Sequence, residues 1–334
     1  MFETYIGTAT GVYRLGRAGA QPLGLQDERI SAIHAFRTAS GDTVILGGSY
    51  GNGLFRSADG GRSWRPVGDG LTASAFRTIA PDPTRPGALL TGTEPGRIFR
   101  SEDEGQRWRE LDGIRAIPAY EEWYLPYSPR AGAVRNVYSP PGSGSRLLAS
   151  VEVGGLLDSP DDGLSWSISA IGPNDDIHHI TGHPDEPNLL FASLGYAALK
   201  SRNRTPESPK LGGVGRSRDG GQTWTVLHTD YTRATIVPPT DHGLLLAGPS
   251  PQVGRMGRIE VSRDAGDSWE LAAGGIETPM EDMVELFQPA PDGSIWAVCS
   301  GGRLLRAEPE EWQWRSAVPA GLSTRVEAAS FLPA

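Results

Sequence analysis

The residues best suited to chemistry in this 334-residue sequence lie in seven short segments that otherwise look like buried strands. They are Ile33-His34-Ala35-Phe36, Phe76-Arg77-Thr78-Ile79, Val134-Arg135-Asn136-Val137, Ile177-His178-His179-Ile180, Arg233-Ala234-Thr235-Ile236, Met283-Val284-Glu285-Leu286 and Arg325-Val326-Glu327-Ala328. The outer columns are mostly apolar, while the middle columns collect His34, Arg77, Arg135, Asn136, His178, His179, Glu285 and Glu327. Imidazoles at His34, His178 and His179 suit Zn²⁺ or another divalent metal, with Glu285 or Glu327 as carboxylate ligand or general base. Neighbouring strand residues point to opposite sides, so only one of His178 and His179 is expected to reach such an ion. In a second chemistry Arg77 and Arg135, with Arg233 or Arg325, grip a carboxylate, sulfate or phosphate while Glu285, Glu327 or His178 moves a proton. In a third arrangement these groups pair with one another, tie the strands together and do no chemistry.

Two longer connections add candidates. Residues 113–132 include Trp123, Tyr124 and Tyr127, which suit stacking on a sugar or another planar group, or else seal the loop onto the body. Residues 196–212 hold Lys200, Arg202, Arg204 and Lys210 against the single acid Glu207. That segment is either a positive funnel for an anionic ligand or a solvated loop.

The elements that must position these residues are announced by a repeat. Ser-x-Asp-x-Gly-x-x-Trp occurs five times, at Ser57, Ser101, Ser159, Ser217 and Ser262, with spacings of 44, 58, 58 and 45 residues. An eroded sixth copy runs from Ala307 to Trp314. A period near 45 with two inserts, each unit holding an apolar strand, a Gly-rich turn and a strand ending in Phe-Arg-Ser or a variant, describes a four-stranded antiparallel blade. The segment Ile6–Arg14 matches the middle strands of such a unit but lacks a first strand, which is supplied by Arg325–Phe331 at the other end. The expectation is therefore an all-β, seven-bladed β-propeller spanning residues 1–334 as one domain, its last blade closed by the N- and C-terminal strands. First strands of a propeller line its axis, so the seven segments would converge at one mouth of the channel.

The eight-residue box resembles the Asp-box, or bacterial neuraminidase, repeats found in sialidases, xyloglucanase-type glycoside hydrolases, sortilin-type receptors and photosystem II assembly propellers. That resemblance covers nearly the whole chain and implies boxes in the hairpins between third and fourth strands, away from the ligand face. Asp59, Asp103, Asp161, Asp219 and Asp264 are accordingly expected to satisfy turn amides, not to act as catalytic carboxylates. The sialidase Phe/Tyr-Arg-Ile-Pro signature is absent. The resemblance implies either a glycosyl-hydrolase-like hydrolase or lyase acting on a small anionic or sugar-like substrate, or a non-catalytic propeller for protein interaction or assembly. Fold alone does not choose between them.

Composition narrows the partners. With 31 basic and 40 acidic residues the formal charge is −9, a poor match for nucleic acid or an anionic membrane. A single cysteine, Cys299, excludes an internal disulfide. The first residues show neither a basic nor an apolar leader region, and no apolar run reaches the roughly 18 residues of a membrane span, so a cytoplasmic protein is the default expectation.

Overall fold

The computed structural model describes residues 2–125, 132–172, 174–196, 212–309, 311–319 and 321–333. Its strands form seven four-stranded antiparallel sheets. Numbered from the first box, blades I to VII have inner strands Ile30–Arg37, Ala75–Pro81, Ala133–Tyr138, Ile177–Gly182, Tyr231–Ile236, Val284–Pro289 and Val326–Pro333. In blade VII, Val326–Pro333 pairs antiparallel with Phe2–Thr8, and the sheet continues through Gly11–Gly16 to Gly19–Gly24. The two ends of the chain thus share one blade, as the repeat spacing predicts.

Each second strand is sandwiched between blades and reads as a buried run, for example Leu89–Glu94, Leu147–Glu152 and Ile295–Cys299. Where the next blade crosses closest, the second strand carries glycine. A Cβ on Gly48 would lie 2.6 Å from Phe76 Cβ, and one on Gly92 would lie 2.6 Å from the Val134 carbonyl oxygen. In blades I to VI the fourth strands are two or three residues long and largely exposed, which keeps those outer edges short; in blade VII the fourth strand, Gly19–Gly24, has six residues.

The boxes occupy the hairpins between third and fourth strands, at the end of each blade opposite the start of its inner strand. Ser57 Oγ donates to Asp59 (2.8 Å) and accepts from the Gly61 amide (2.8 Å), while Asp59 accepts from both the amide and the hydroxyl of Ser63. The same bonds recur around Asp161, Asp219 and Asp264, and in shortened form around Asp103. Hydrogen bonds from Ser63 hold the Asp59 carboxyl at about 2. All five aspartates are therefore engaged in their own turns.

The arginine just before three of the boxes reaches the next box. Arg56 donates to the Glu104 carbonyl (2.9 Å), Arg100 to Asp162 (2.6 Å), and Arg216 to the Ala265 carbonyl (2.9 Å). Arg100 is 2% exposed and also bonds Asp82 at 2.5 Å, so this end of the molecule is stitched between blades by buried charge.

Candidate functional site

Every inner strand breaks register near its start. Pairing jumps past Ser31, Arg77, Arg135, His178, Glu285 and Glu327, and in blade V past Arg233 and Ala234. One extra residue opposite a regular partner strand is a β-bulge, which bends the strand and re-aims a side chain. Each blade thus delivers one bulged residue to the end of the channel remote from the boxes, forming a collar.

The expected alignment is corrected in blade I. Ser31 holds the collar position and His34 lies three residues further on, roughly 10 Å deeper along the strand. Hydrophobic patterning aligned Ile33 with Phe76, whereas the bulge aligns Ile30 with it.

A cavity of about 1150 Å³ extends from this collar to Pro81, Pro289 and Pro333 at the far ends of inner strands. Its upper part is charged; its lower part carries Ile33, Ile79, Val137, Ile236, Phe287 and Phe331.

The collar residues and their neighbours stitch all seven blade junctions. Arg29 bonds Glu327 (2.9 Å) between blades VII and I, and Ser31 Oγ donates to the Phe76 carbonyl (2.6 Å) between I and II. Arg77 lies 3.8 Å from Glu152 between II and III, while Asn136 exchanges two hydrogen bonds with the Ile180 backbone between III and IV. Imidazole Nε2 of His178 faces the Tyr231 hydroxyl at 3.0 Å between IV and V. Arg233 bonds both oxygens of Glu285 (2.5 and 2.7 Å) between V and VI, and Arg325 donates to the Ser300 carbonyl (2.5 Å) between VI and VII.

Within blade III, Arg135 Nε donates to Glu152 at 2.6 Å. Arg77 also approaches Glu94 at 3.5 Å, and its guanidinium and that of Arg29 lie over the Tyr50 ring at 4.9 and 4.8 Å. Burial opposes ionisation of Glu152, but Arg135, His178, Arg77 and Arg233 outweigh it and hold the carboxyl well below its ordinary 4.5. Glu285 is lowered for the same reason, burial being overcome by Arg233 and Arg135. Burial pushes His34 and His179 down to about 4, leaving both neutral near pH 7.

The expected metal site of His34 with one of His178 and His179 and a carboxylate from Glu285 or Glu327 does not assemble among the described residues. Among the described residues, the group of three donor side chains close enough to share an ion is Glu152, Asp176 and His178, all buried, within 4.8 Å of one another. His34 instead stacks on Phe36 at 5.6 Å. Trp123 is corrected as a stacking platform: at 4% exposure it packs with Ile114, Ile117 and Tyr120, and its indole lies against the turns at Gly96 and Gly154. Tyr124 is half-buried and does not line the cavity. Asn136 is committed to the Ile180 backbone and Ser150. Tyr127 and the basic residues Lys200, Arg202, Arg204 and Lys210 lie outside the described residues.

Sequence reasoning missed Glu94, Glu152, Asp176 and Tyr231. The signal was there for two of them: Glu94 and Glu152 each end a second strand that is otherwise apolar or small.

No family model matches the chain, and no curated protein sequence matches it. Solved structures do. A GH74 xyloglucanase from Xanthomonas campestris aligns over 99% of this chain at 18% identity and a TM-score of 0.70. GH74 from Niastella koreensis aligns over 99% at 15% identity and a TM-score of 0.63. The chain spans about half the length of these two enzymes, 52% in each. YCF48 from Cyanidioschyzon merolae aligns over 92% of both chains at 15% identity and a TM-score of 0.63. At these identities the likeness is one of fold, the seven-bladed β-propeller.

Proposed function

We propose that this Asp-box-like propeller is a binding module whose channel mouth takes an anionic group of its ligand and does not hydrolyse it. Carboxylate-assisted glycoside cleavage needs one carboxyl held protonated near neutral pH as the acid. Glu152 and Glu285 are both lowered by arginines, the opposite of that requirement. The ring arginines Arg77, Arg135 and Arg233 face carboxylates of the protein itself, leaving the rim to recruit a ligand. The observation that carries the reading is Arg325, an exposed cation at the mouth whose guanidinium donates to the Ser300 carbonyl. Arg255, also exposed, follows Gly254, which lines the same cavity.

A hydrolase or lyase is the second reading, favoured by the position of His178 beside Asp176 on the channel wall. In that case His178 would move the proton.

The test is a thermal-shift and calorimetric series with citrate, phosphate, glucuronate and xyloglucan oligosaccharides, alongside an assay for released reducing ends. Binding of an anion that weakens at least 10-fold in Arg325→Ala and with added salt, without new reducing ends, is expected. Turnover of the oligosaccharide that disappears in His178→Ala would replace the binding reading with the hydrolytic one.

A further inference from the structure

Among the described residues, one buried carboxylate of the channel wall has no guanidinium within ion-pair distance. Four carboxylates, Glu94, Glu152, Asp176 and Glu285, face three guanidiniums, Arg77, Arg135 and Arg233. Pairing Arg77 with Glu94, Arg135 with Glu152 and Arg233 with Glu285 leaves Asp176, which is 4% exposed. A buried carboxylate is costly unless a cation or several donors meet it.

One oxygen of Asp176 is met, since Oδ2 accepts from the Tyr196 amide at 3.0 Å. The other, Oδ1, is buried with no hydrogen-bond donor directed at it among the described residues. Its neighbour is His178 Nε2 at 3.1 Å, and that nitrogen also faces the Tyr231 hydroxyl at 3.0 Å. The Tyr231 oxygen already accepts from Arg233 Nε at 2.9 Å. With the imidazole proton on Nδ1, the single lone pair of Nε2 lies beside those of Oδ1, and among the described residues nothing positive stands between them. A cation held by both removes the conflict, and Glu152 supplies a third donor within 4.8 Å.

We infer that Glu152, Asp176 and His178 form a site for a divalent transition metal of the Zn²⁺ class, clamping blades III and IV. One imidazole nitrogen and two carboxylate oxygens suit such an ion. The outer groups fit as well: Arg135 bonds Glu152 and the Tyr196 amide bonds Asp176, orienting both carboxylates as second-layer partners of metal ligands do. His178 lines the channel, so a channel water completes the shell. The site shares only His178 with the set expected from sequence, and it stands independently of the anion-binding reading. A proton on His178 is the rival occupant, because it would also balance Asp176.

Metal-free protein, prepared by chelation and dialysis, is titrated with Co²⁺ and Zn²⁺. Binding of one equivalent, visible Co²⁺ absorption bands and a rise in melting temperature with Zn²⁺ are expected. Asp176→Asn should weaken binding at least 10-fold. His242→Ala, which removes the surface pair His242–Asp185, should leave binding unchanged. If Asp176→Asn fails to fold, His178→Gln and the wild-type Co²⁺ spectrum decide. The inference is overturned if the wild type binds no stoichiometric metal, if Asp176→Asn binds as tightly, or if His242→Ala abolishes binding.

Discussion

Glu152 ends a buried second strand and is met by Arg135 from its own blade and Arg77 from the neighbouring one. Removing its charge while keeping its shape, as in Glu152→Gln, takes away the carboxylate bonded by Arg135 and leaves Arg77 with Glu94, at a side chain only 5% exposed. Breaking one partner of a buried pair typically costs about 3–5 kcal/mol. The pH dependence follows from the direction of the shift. Because the folded carboxyl lies well below its ordinary 4.5, its contribution is fully present above that value and is lost as pH falls toward the folded value. Urea midpoints should therefore separate wild type from Glu152→Gln by the full amount at pH 7 and converge as the wild type is acidified below about 4.5. A constant separation from pH 7 to pH 3 would show that the carboxylate charge is not what the arginines stabilise.

At the level of the strand and blade, the glycines of the second strands set how closely blades approach. Gly48→Ala places a Cβ 2.6 Å from Phe76 Cβ, between two strands whose positions are fixed on both faces. Overpacking of this kind costs about 1–3 kcal/mol. Gly16→Ala, where the nearest heavy atom is 3.9 Å away and φ lies outside the left-handed range, should be close to neutral. Equal denaturation midpoints for the two variants would refute close blade approach as the reason for Gly48. The same strands explain what was legible in the sequence. Boxes and their spacing carried the blade count, since each box must close a hairpin and each hairpin belongs to one blade. Bulges were not legible, because a one-residue insertion in one strand leaves its apolar pattern plausible in either register. That is why His34 was aligned with the collar in place of Ser31. Partners from second strands were overlooked for a related reason. Glu152 and Glu94 sit at the ends of apolar runs, where the pattern alone does not distinguish a turn residue from a buried counter-charge.

The ring as a whole depends on Val326–Pro333, the inner strand of blade VII, which pairs with all seven residues of Phe2–Thr8, with one break in register at Glu327. It also makes two bonds across the junction with blade I: Glu327 bonds Arg29, and Ser330 Oγ accepts from the Ala35 amide. A chain ending at Thr324 would lose this strand and expose both the Phe2–Thr8 edge and the apolar cluster containing Ile6, Trp296 and Val298. An unpaired strand edge beside bare apolar surface favours association between molecules. The truncated chain is therefore expected to elute as aggregates or melt well below the full-length protein. Because the missing interactions belong to one continuous segment, a synthetic peptide of residues 325–334 supplied in trans should pair with Phe2–Thr8 and recover much of the lost melting temperature. A scrambled peptide should not. Glu327→Gln within the peptide should recover less, since Arg29 would then lack its carboxylate. If the truncated chain stays monomeric and melts like the intact protein, the closing strand contributes nothing to ring stability, and blades I to VI must hold without it.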